Sequence, residues 1–165
     1  DISERRLANL KQRLKRSGGS NIMMQRIANE NDLKIKRLKG KFDRVLVDAP
    51  CTGLGTLRRN PDLKWRHTQK SLSELVVKQG AILSSASTLC KKGGYLVYAT
   101  CSLLNDENEM IVEEFLSKHN GFAVISAQAA LEKYGIKLES DNFLKLYPNA
   151  HSTDGFFGAL LERID

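Results

Sequence analysis

The sequence predicts an α/β domain with a largely parallel sheet, and three observations carry that expectation. Phe42 to Asp48 reads as a buried strand with Val45, Leu46 and Val47 at its middle, and Tyr95 to Ala99 is a second apolar, strand-like run. Between them, Ser71 to Leu89 repeats Leu72, Leu75, Val76, Ile82, Leu83 and Leu89 on one helical face. A further helical segment, Asn105 to His119, follows the second strand. Strands alternating with helices define this class.

In chain order, Ser3 to Arg16 places Leu7, Leu10 and Leu14 at helical spacing, and Ser17-Gly18-Gly19-Ser20 stops the helix. Asn21 to Gln25 is expected as a short strand, followed by a polar stretch to Lys41. Pro50, Gly53 and Gly55 end the strand at 42–48 in a loop. The helix at 71–89 closes on Lys91-Lys92-Gly93-Gly94, a basic last turn and a glycine stop, with Cys90 on the helix face. For the helix at 105–119 the expected N-cap is Asn105 or Asp106. Glu107 and Glu109 oppose the helix dipole in its first turn, and Met110, Ile111, Phe115 and Leu116 turn inward. Phe122 to Ile125 is a possible strand, residues 126–142 are ambiguous, and Phe156 to Leu161 forms a last strand after the turn Thr153-Asp154-Gly155.

The chain has 165 residues, 41% of them apolar, which suits one domain spanning 1–165. It has no apolar run of about eighteen residues and no signal-peptide core, so the expected setting is cytoplasmic, without membrane contact. Three cysteines without Cys-x-x-Cys spacing or paired histidines argue against a disulfide framework and against a metal site. Net charge is +7, yet residues 1–70 hold 18 basic against 7 acidic side chains. That half is a candidate phosphate-binding face, although a solvated helix surface accounts for Arg5 to Arg16. Arg58, Arg59, Lys64 and Arg66 crowd a short loop with Trp65 directly after Cys51, a composition suited to holding and stacking a nucleic-acid strand. Trp65 either stacks on a base or packs under its loop.

Cys51 and Cys101 each sit just past a strand, where an open α/β sheet collects its ligands, and Asp48 lies three residues before Cys51. If the strands are neighbours, two sulfurs and a carboxylate converge. A thiol is a nucleophile only as thiolate, and the cationic loop after Cys51 is a candidate source of the field that lowers its pKa. Free cysteine also fills space in cores, which is the expected role of Cys90. A redox role for the other two needs their sulfurs close together, which their spacing gives no reason to expect.

Asp48-Ala49-Pro50-Cys51-Thr52-Gly53 and Ala99-Thr100-Cys101-Ser102 resemble the two signature segments of the Sun-type, RsmB-like RNA cytosine methyltransferases. Arg58-Arg59-Asn60-Pro61-Asp62 with Lys64-Trp65-Arg66, Asn105-Asp106-Glu107-Asn108-Glu109 and Asp154-Gly155-Phe156-Phe157 extend the resemblance over nearly the whole chain, with the bacterial branch acting on small-subunit ribosomal RNA as its nearest match. The resemblance implies a Rossmann-like class I methyltransferase fold, S-adenosylmethionine as cofactor and RNA as partner, ribosomal before transfer RNA. Cys101 is then the nucleophile on carbon 6 of the target cytosine, Asp48 holds the polar edge of the base, and Cys51 assists release of the adduct. Asp1 matches the acid that binds the cofactor ribose. At the next cofactor contact the sequence departs from the family pattern, leaving Asn29 and Asp32 as candidates. A related methyltransferase acting on exocyclic amines is disfavoured because Cys51 occupies the fourth position of the turn, where those enzymes carry an aromatic residue. The first strand of such folds and its glycine-rich loop have no counterpart after Asp1, so the sequence is expected to be the carboxy-terminal portion of a longer enzyme. The alternative is a noncatalytic RNA-binding fragment of one.

Overall fold

The structure, a computed structural model, describes residues 1–165. Helix α1, Glu4–Ser17, begins where the Ser3 hydroxyl accepts from the Arg6 amide at 3.3 Å, and ends at Gly18, whose φ of 70° is open to glycine without penalty. None of its residues is buried. Asn21 to Gln25 forms no strand: Ile22 and Met23 are exposed, and the only ladder-like bonds nearby join Asp1 to Gln25 and Ile27. Two apolar side chains without a partner strand cannot hold an extended segment in a sheet. A one-turn helix α2, Leu33–Lys36, follows.

Strand β1, Phe42–Asp48, pairs in parallel with β2, Cys90–Thr100, with Asp48 opposite Ala99. The one-turn helix α3, Leu63–Arg66, and the long helix α4, Gln69–Ser87, connect them. Thr68 and Ser71 cap α4 reciprocally. This helix stops short of the expected end at residue 89, and Cys90 is the buried first residue of β2 rather than part of a helix face. The Leu89 carbonyl is taken by the Lys41 and Phe42 amides, which commits the chain to the sheet. Gly93, at φ 71°, absorbs the register shift where Cys90 and Tyr95 pair with Phe42 and Arg44.

Beyond β2, a 3-10 turn at Asn105–Glu107 precedes helix α5, Glu109–Lys118. Its N-cap is therefore Asn108, not Asn105 or Asp106. The shifted start turns Val112 inward beside Ile111 and Phe115 and leaves Met110 half exposed. Strand β3, Phe122–Ile125, helix α6, Ala127–Lys133, the short strand β4, Leu144–Leu146, one-turn helix α7, Pro148–His151, and β5, Phe156–Arg163, complete the chain. The main sheet order is β1-β2-β5-β3, with β4 also pairing β5. Strand β5 lies antiparallel to β2, β3 and β4, so only the β1–β2 ladder is parallel. The expected largely parallel sheet holds for the direction of β1, β2 and β3. Strand β5, inserted between β2 and β3, runs the other way.

Val47, Leu96, Tyr98 and Leu161 face α4 and α5, where they pack on Leu83, Ile111, Val112 and Phe115. Each such fully buried apolar side chain contributes about 1.5–3 kcal/mol. This core fixes β1 beside β2 and hence the loops at their carboxyl ends. On the opposite face Leu46 is exposed, and β1 is the edge of the sheet.

Candidate active site

Asp48 is the last residue of β1, and the Ala49 amide continues the pairing by donating to the Ala99 carbonyl at 2.9 Å. Two residues on, Cys51 turns toward the adjacent loop, where Cys101 follows the end of β2. The two Sγ atoms lie 3.4 Å apart, a thiol hydrogen bond. Gly55 holds these loops together: its amide donates to the Cys101 carbonyl at 2.9 Å and its carbonyl accepts from Gly155 at 2.8 Å. A Cβ on Gly55 would lie 2.3 Å from the Gly155 oxygen, so a side chain has no room there. The sequence spacing gave no reason to expect sulfurs this close; the parallel register of β1 and β2 brings them together.

The two thiols titrate in opposite directions. A hydrogen bond from Cys51 stabilises the Cys101 thiolate and lowers its pKa to about 7, against opposing effects of burial and of the nearby Asp48 and Glu107 charges. Cys51, donating that bond and partly buried, is pushed far up. The field that lowers Cys101 comes from the neighbouring thiol and not from the cationic loop, whose Arg59 pairs with Asp154 and Arg66 with Asp62. Thiolate and proton donor are thereby assigned to different sulfurs.

Cys51, Cys101 and Asp48 line one cleft of about 540 Å³, together with Asp1, Ile2, Arg6, Ile27, Glu30, Ile35 and Lys78. Asp1 spends one carboxylate oxygen on the Ser3 amide at 2.7 Å. Asn29 and Asp32 are absent from the wall: Asn29 accepts from the Asn31 amide at 2.8 Å, and Asp32 caps α2, accepting from Ala28 and Lys34. Their burden of local bonds also holds the Asp32 carboxyl below its usual range, the Lys34 and Ala28 amides being the main causes. Glu30, which sequence reasoning passed over, takes the wall position instead, and its hydrogen bond with Lys78 lowers its pKa. The only signal for it was its place among the acids of 28–32.

Trp65 is 81% exposed, with Lys64 Nζ 4.9 Å from its ring centroid, so it does not pack under its loop. Arg58, Arg59, Lys64 and Arg66 are exposed around it.

Beneath the cysteines lies a polar network that sequence reasoning also missed. Glu107, expected in the first turn of the helix at 105–119, lies in the 3-10 turn before α5 and is fully buried. Its carboxylate accepts from the Thr52 amide at 2.8 Å, the Thr52 hydroxyl at 2.5 Å, the Gln79 amide at 2.9 Å and the Ser102 hydroxyl. Gln79 Nε2 also reaches the Pro50 carbonyl at 2.9 Å, and Tyr98 donates its hydroxyl to the Glu107 carbonyl at 2.7 Å. Asn108 accepts from Thr100 and donates to the Ser102 carbonyl.

No helix is long and apolar enough to cross a membrane, and no group of three or more His, Cys, Asp or Glu is placed to hold a metal ion.

With this geometry in place, comparisons with known proteins are specific. The model of the family described as 16S rRNA methyltransferase RsmB/F matches residues 1–162. A Synechocystis sp. protein named as a probable ribosomal RNA small subunit methyltransferase B is 40% identical over 121 residues, 73% of this chain and 27% of that protein. The crystal structure of PH0851 superposes with a TM-score of 0.85 at 33% identity, over 99% of this chain and 36% of its own. NSun6 from Pyrococcus horikoshii, solved with SFG, superposes with a TM-score of 0.81 at 29% identity, over 100% of this chain and 40% of its own. The chain thus spans between 27% and 40% of the length of these relatives.

Proposed function

The chain belongs to the RsmB/F family of 16S rRNA methyltransferases, with the Rossmann-like class I methyltransferase fold of its structural neighbours, and on that premise we propose that it methylates carbon 5 of a cytosine in 16S ribosomal RNA through a Cys101 adduct. The observation that carries this reading is the pair of sulfurs 3.4 Å apart in one cleft with Asp48, one thiol lowered and the other raised.

The chemistry follows from that asymmetry. The Cys101 thiolate adds to carbon 6 of the base, forming an S–C bond and moving the ring electron pair to carbon 5. Asp48, in the wall of the same cleft, hydrogen-bonds the polar edge of the base as charge develops there. Carbon 5 would then take the methyl group that a bound sulfonium donor supplies, the methyl–sulfur bond breaking as the carbon–carbon bond forms and the donor leaving as a neutral thioether. Loss of the carbon 5 proton to a solvent water molecule returns the electron pair to the ring double bond and expels the Cys101 sulfur as thiolate, and Cys51 assists by donating its thiol hydrogen bond to that departing sulfur. The base leaves its stack to enter the cleft, and Trp65 with Arg58, Arg59, Lys64 and Arg66 holds the displaced strand.

S-adenosylmethionine supplies an electrophilic methyl group on a sulfonium. SFG, bound by the archaeal neighbour, is an analogue of it. The cleft suits such a molecule in size, since about 540 Å³ falls within the range of small-ligand sites. It also suits it in chemistry: Asp1 and Glu30 offer carboxylate acceptors for ribose hydroxyls, and Ile2, Ile27 and Ile35 an apolar wall for a purine. In this reading the open edge of β1 is covered by a strand from the additional length its relatives carry, and the protein works in the cytoplasm.

The decisive experiment is adduct trapping with the RNA substrate. Cys51→Ala accumulates a covalent RNA–protein species on denaturing gels, because addition proceeds and release is blocked, whereas Cys101→Ala forms none. Absence of an adduct in Cys51→Ala, or its presence in Cys101→Ala, refutes the assigned roles.

A further inference from the structure

Glu107 has no route to substrate. It is fully buried and does not line the cleft, yet it bonds groups from three separate parts of the chain. Thr52 directly follows Cys51, Ser102 directly follows Cys101, and Gln79 of α4 is the side chain that also holds Pro50, directly before Cys51. Three of the four residues flanking the two sulfurs, Pro50 through Gln79 and Thr52 and Ser102 directly, are therefore referred to one carboxylate. The Tyr98 hydroxyl holds the Glu107 backbone in turn, and Asn108 fastens Thr100 to the Ser102 carbonyl.

Burying a carboxylate costs several kcal/mol unless its oxygens are saturated with donors. Here four donors meet it, and such saturated networks fix geometry where an apolar core would only fill volume. An apolar residue in its place would leave the Thr52 amide without its acceptor and would loosen the two loops, which would then be joined here only by the Gly55 amide on the Cys101 carbonyl and by the Thr52–Ser102 hydroxyl pair 3.2 Å apart.

We propose that Glu107 is a positioning residue that sets the spacing of the two thiols, clamping the loop after β1 to the loop after β2 so that Cys51 stays within hydrogen-bond reach of Cys101. It acts through Thr52 and Ser102 and touches neither sulfur. The consequence for catalysis rests on the reading of Cys101 as nucleophile, but the spacing itself is measurable without RNA or cofactor.

The charge of Glu107 and its clamp affect Cys101 in opposite senses, and that separates the roles. The charged and titratable groups acting on Cys101 are Cys51, which favours its thiolate, and Asp48 and Glu107, which disfavour it. Removing the Glu107 charge alone makes Cys101 easier to ionise. Loosening the clamp weakens the Cys51 hydrogen bond and makes it harder.

The test is Glu107→Gln in the intact protein, with Cys101 alkylation by iodoacetamide followed by peptide mass spectrometry across pH, and circular dichroism to verify the fold. The proposal expects the midpoint of the profile to rise from about 7 by roughly one unit as the clamp loosens. A folded variant whose midpoint is unchanged or lower overturns it. If Glu107→Gln does not fold, Ser102→Ala and Thr52→Val decide, since each removes one hydroxyl donor and keeps the charge. A rise in either supports the clamp, and an unchanged midpoint in both overturns it. Loss of the methyltransferase reading would leave these outcomes intact, because no step of the assay uses RNA.

Discussion

Replacing Cys51 by alanine removes the hydrogen bond that is the largest cause of the low Cys101 pKa. The thiol then rises from about 7 to at least the ordinary value of about 8.5, since burial and the Asp48 and Glu107 charges still disfavour the thiolate, and 8.5 serves as the lower bound. At pH 7 the thiolate fraction falls from about one half to about 3%, roughly sixteenfold. A more basic thiolate is also a better nucleophile, by about four- to sixfold over 1.5 units at a Brønsted slope of 0.4–0.5. The net expectation is Cys101 alkylation about three- to fourfold slower at pH 7, but about four- to sixfold faster above pH 10, where both proteins are fully ionised. The profiles of the two proteins therefore cross. Iodoacetamide kinetics resolved by peptide at six or seven pH values read this directly. Profiles that coincide, or a variant that is faster at pH 7, would refute the claim that the neighbouring thiol creates the nucleophile.

Gly55→Ala drives a methyl group against the Gly155 carbonyl and the Cys101 carbonyl, at 2.3 and 2.7 Å, and both obstacles are backbone. Destabilisation by about 1–3 kcal/mol is expected, seen as a drop of roughly 3–10 °C in melting temperature; an unshifted melt contradicts the close approach. Trp65→Ala removes a largely exposed side chain that meets the neighbouring Lys64 ammonium, so stability should stay within about 0.5 kcal/mol. RNA affinity should fall by about 1–3 kcal/mol, or roughly 5- to 150-fold, if the ring stacks on one base; equal affinity in a filter-binding titration removes Trp65 from the RNA path.

The parts of the site legible in the sequence are those set by local pattern. The apolar runs ending at Asp48 and at Thr100 announce strand ends, and parallel neighbours put the residues after them on the same edge, so Cys51, Cys101 and Asp48 are found together. Elements decided by a distant partner were not legible. The direction and place of β5 depend on what β2 and β3 leave open, which its own apolar alternation does not encode. Asn21 to Gln25 has a strand's composition at Ile22 and Met23 and lacks only a neighbour. The start of α5 moved because Asn108 is occupied by Thr100 and Ser102, contacts that outrank the capping preference of Asn105 or Asp106.

Glu107 is the clearest case of a residue whose role inverts between the two levels. An acid at the start of a helical segment is ordinarily a surface partner of the helix dipole, and nothing in Asn105 to Glu109 says otherwise. Its donors at Thr52 and Gln79 lie 55 and 28 residues away, so only the packed fold turns the acid inward. The same holds for the low pKa of Cys101. The sequence offers a cluster of arginines and lysines as the cause, but in the folded protein Arg59 and Arg66 are paired with carboxylates of their own. The nearest donor is a thiol 50 residues upstream, held in reach by the sheet register above and the buried carboxylate below. Reactivity here is a property of the distance between two loops, and a change at any residue that sets that distance should register first in the titration of Cys101 and only afterwards in turnover.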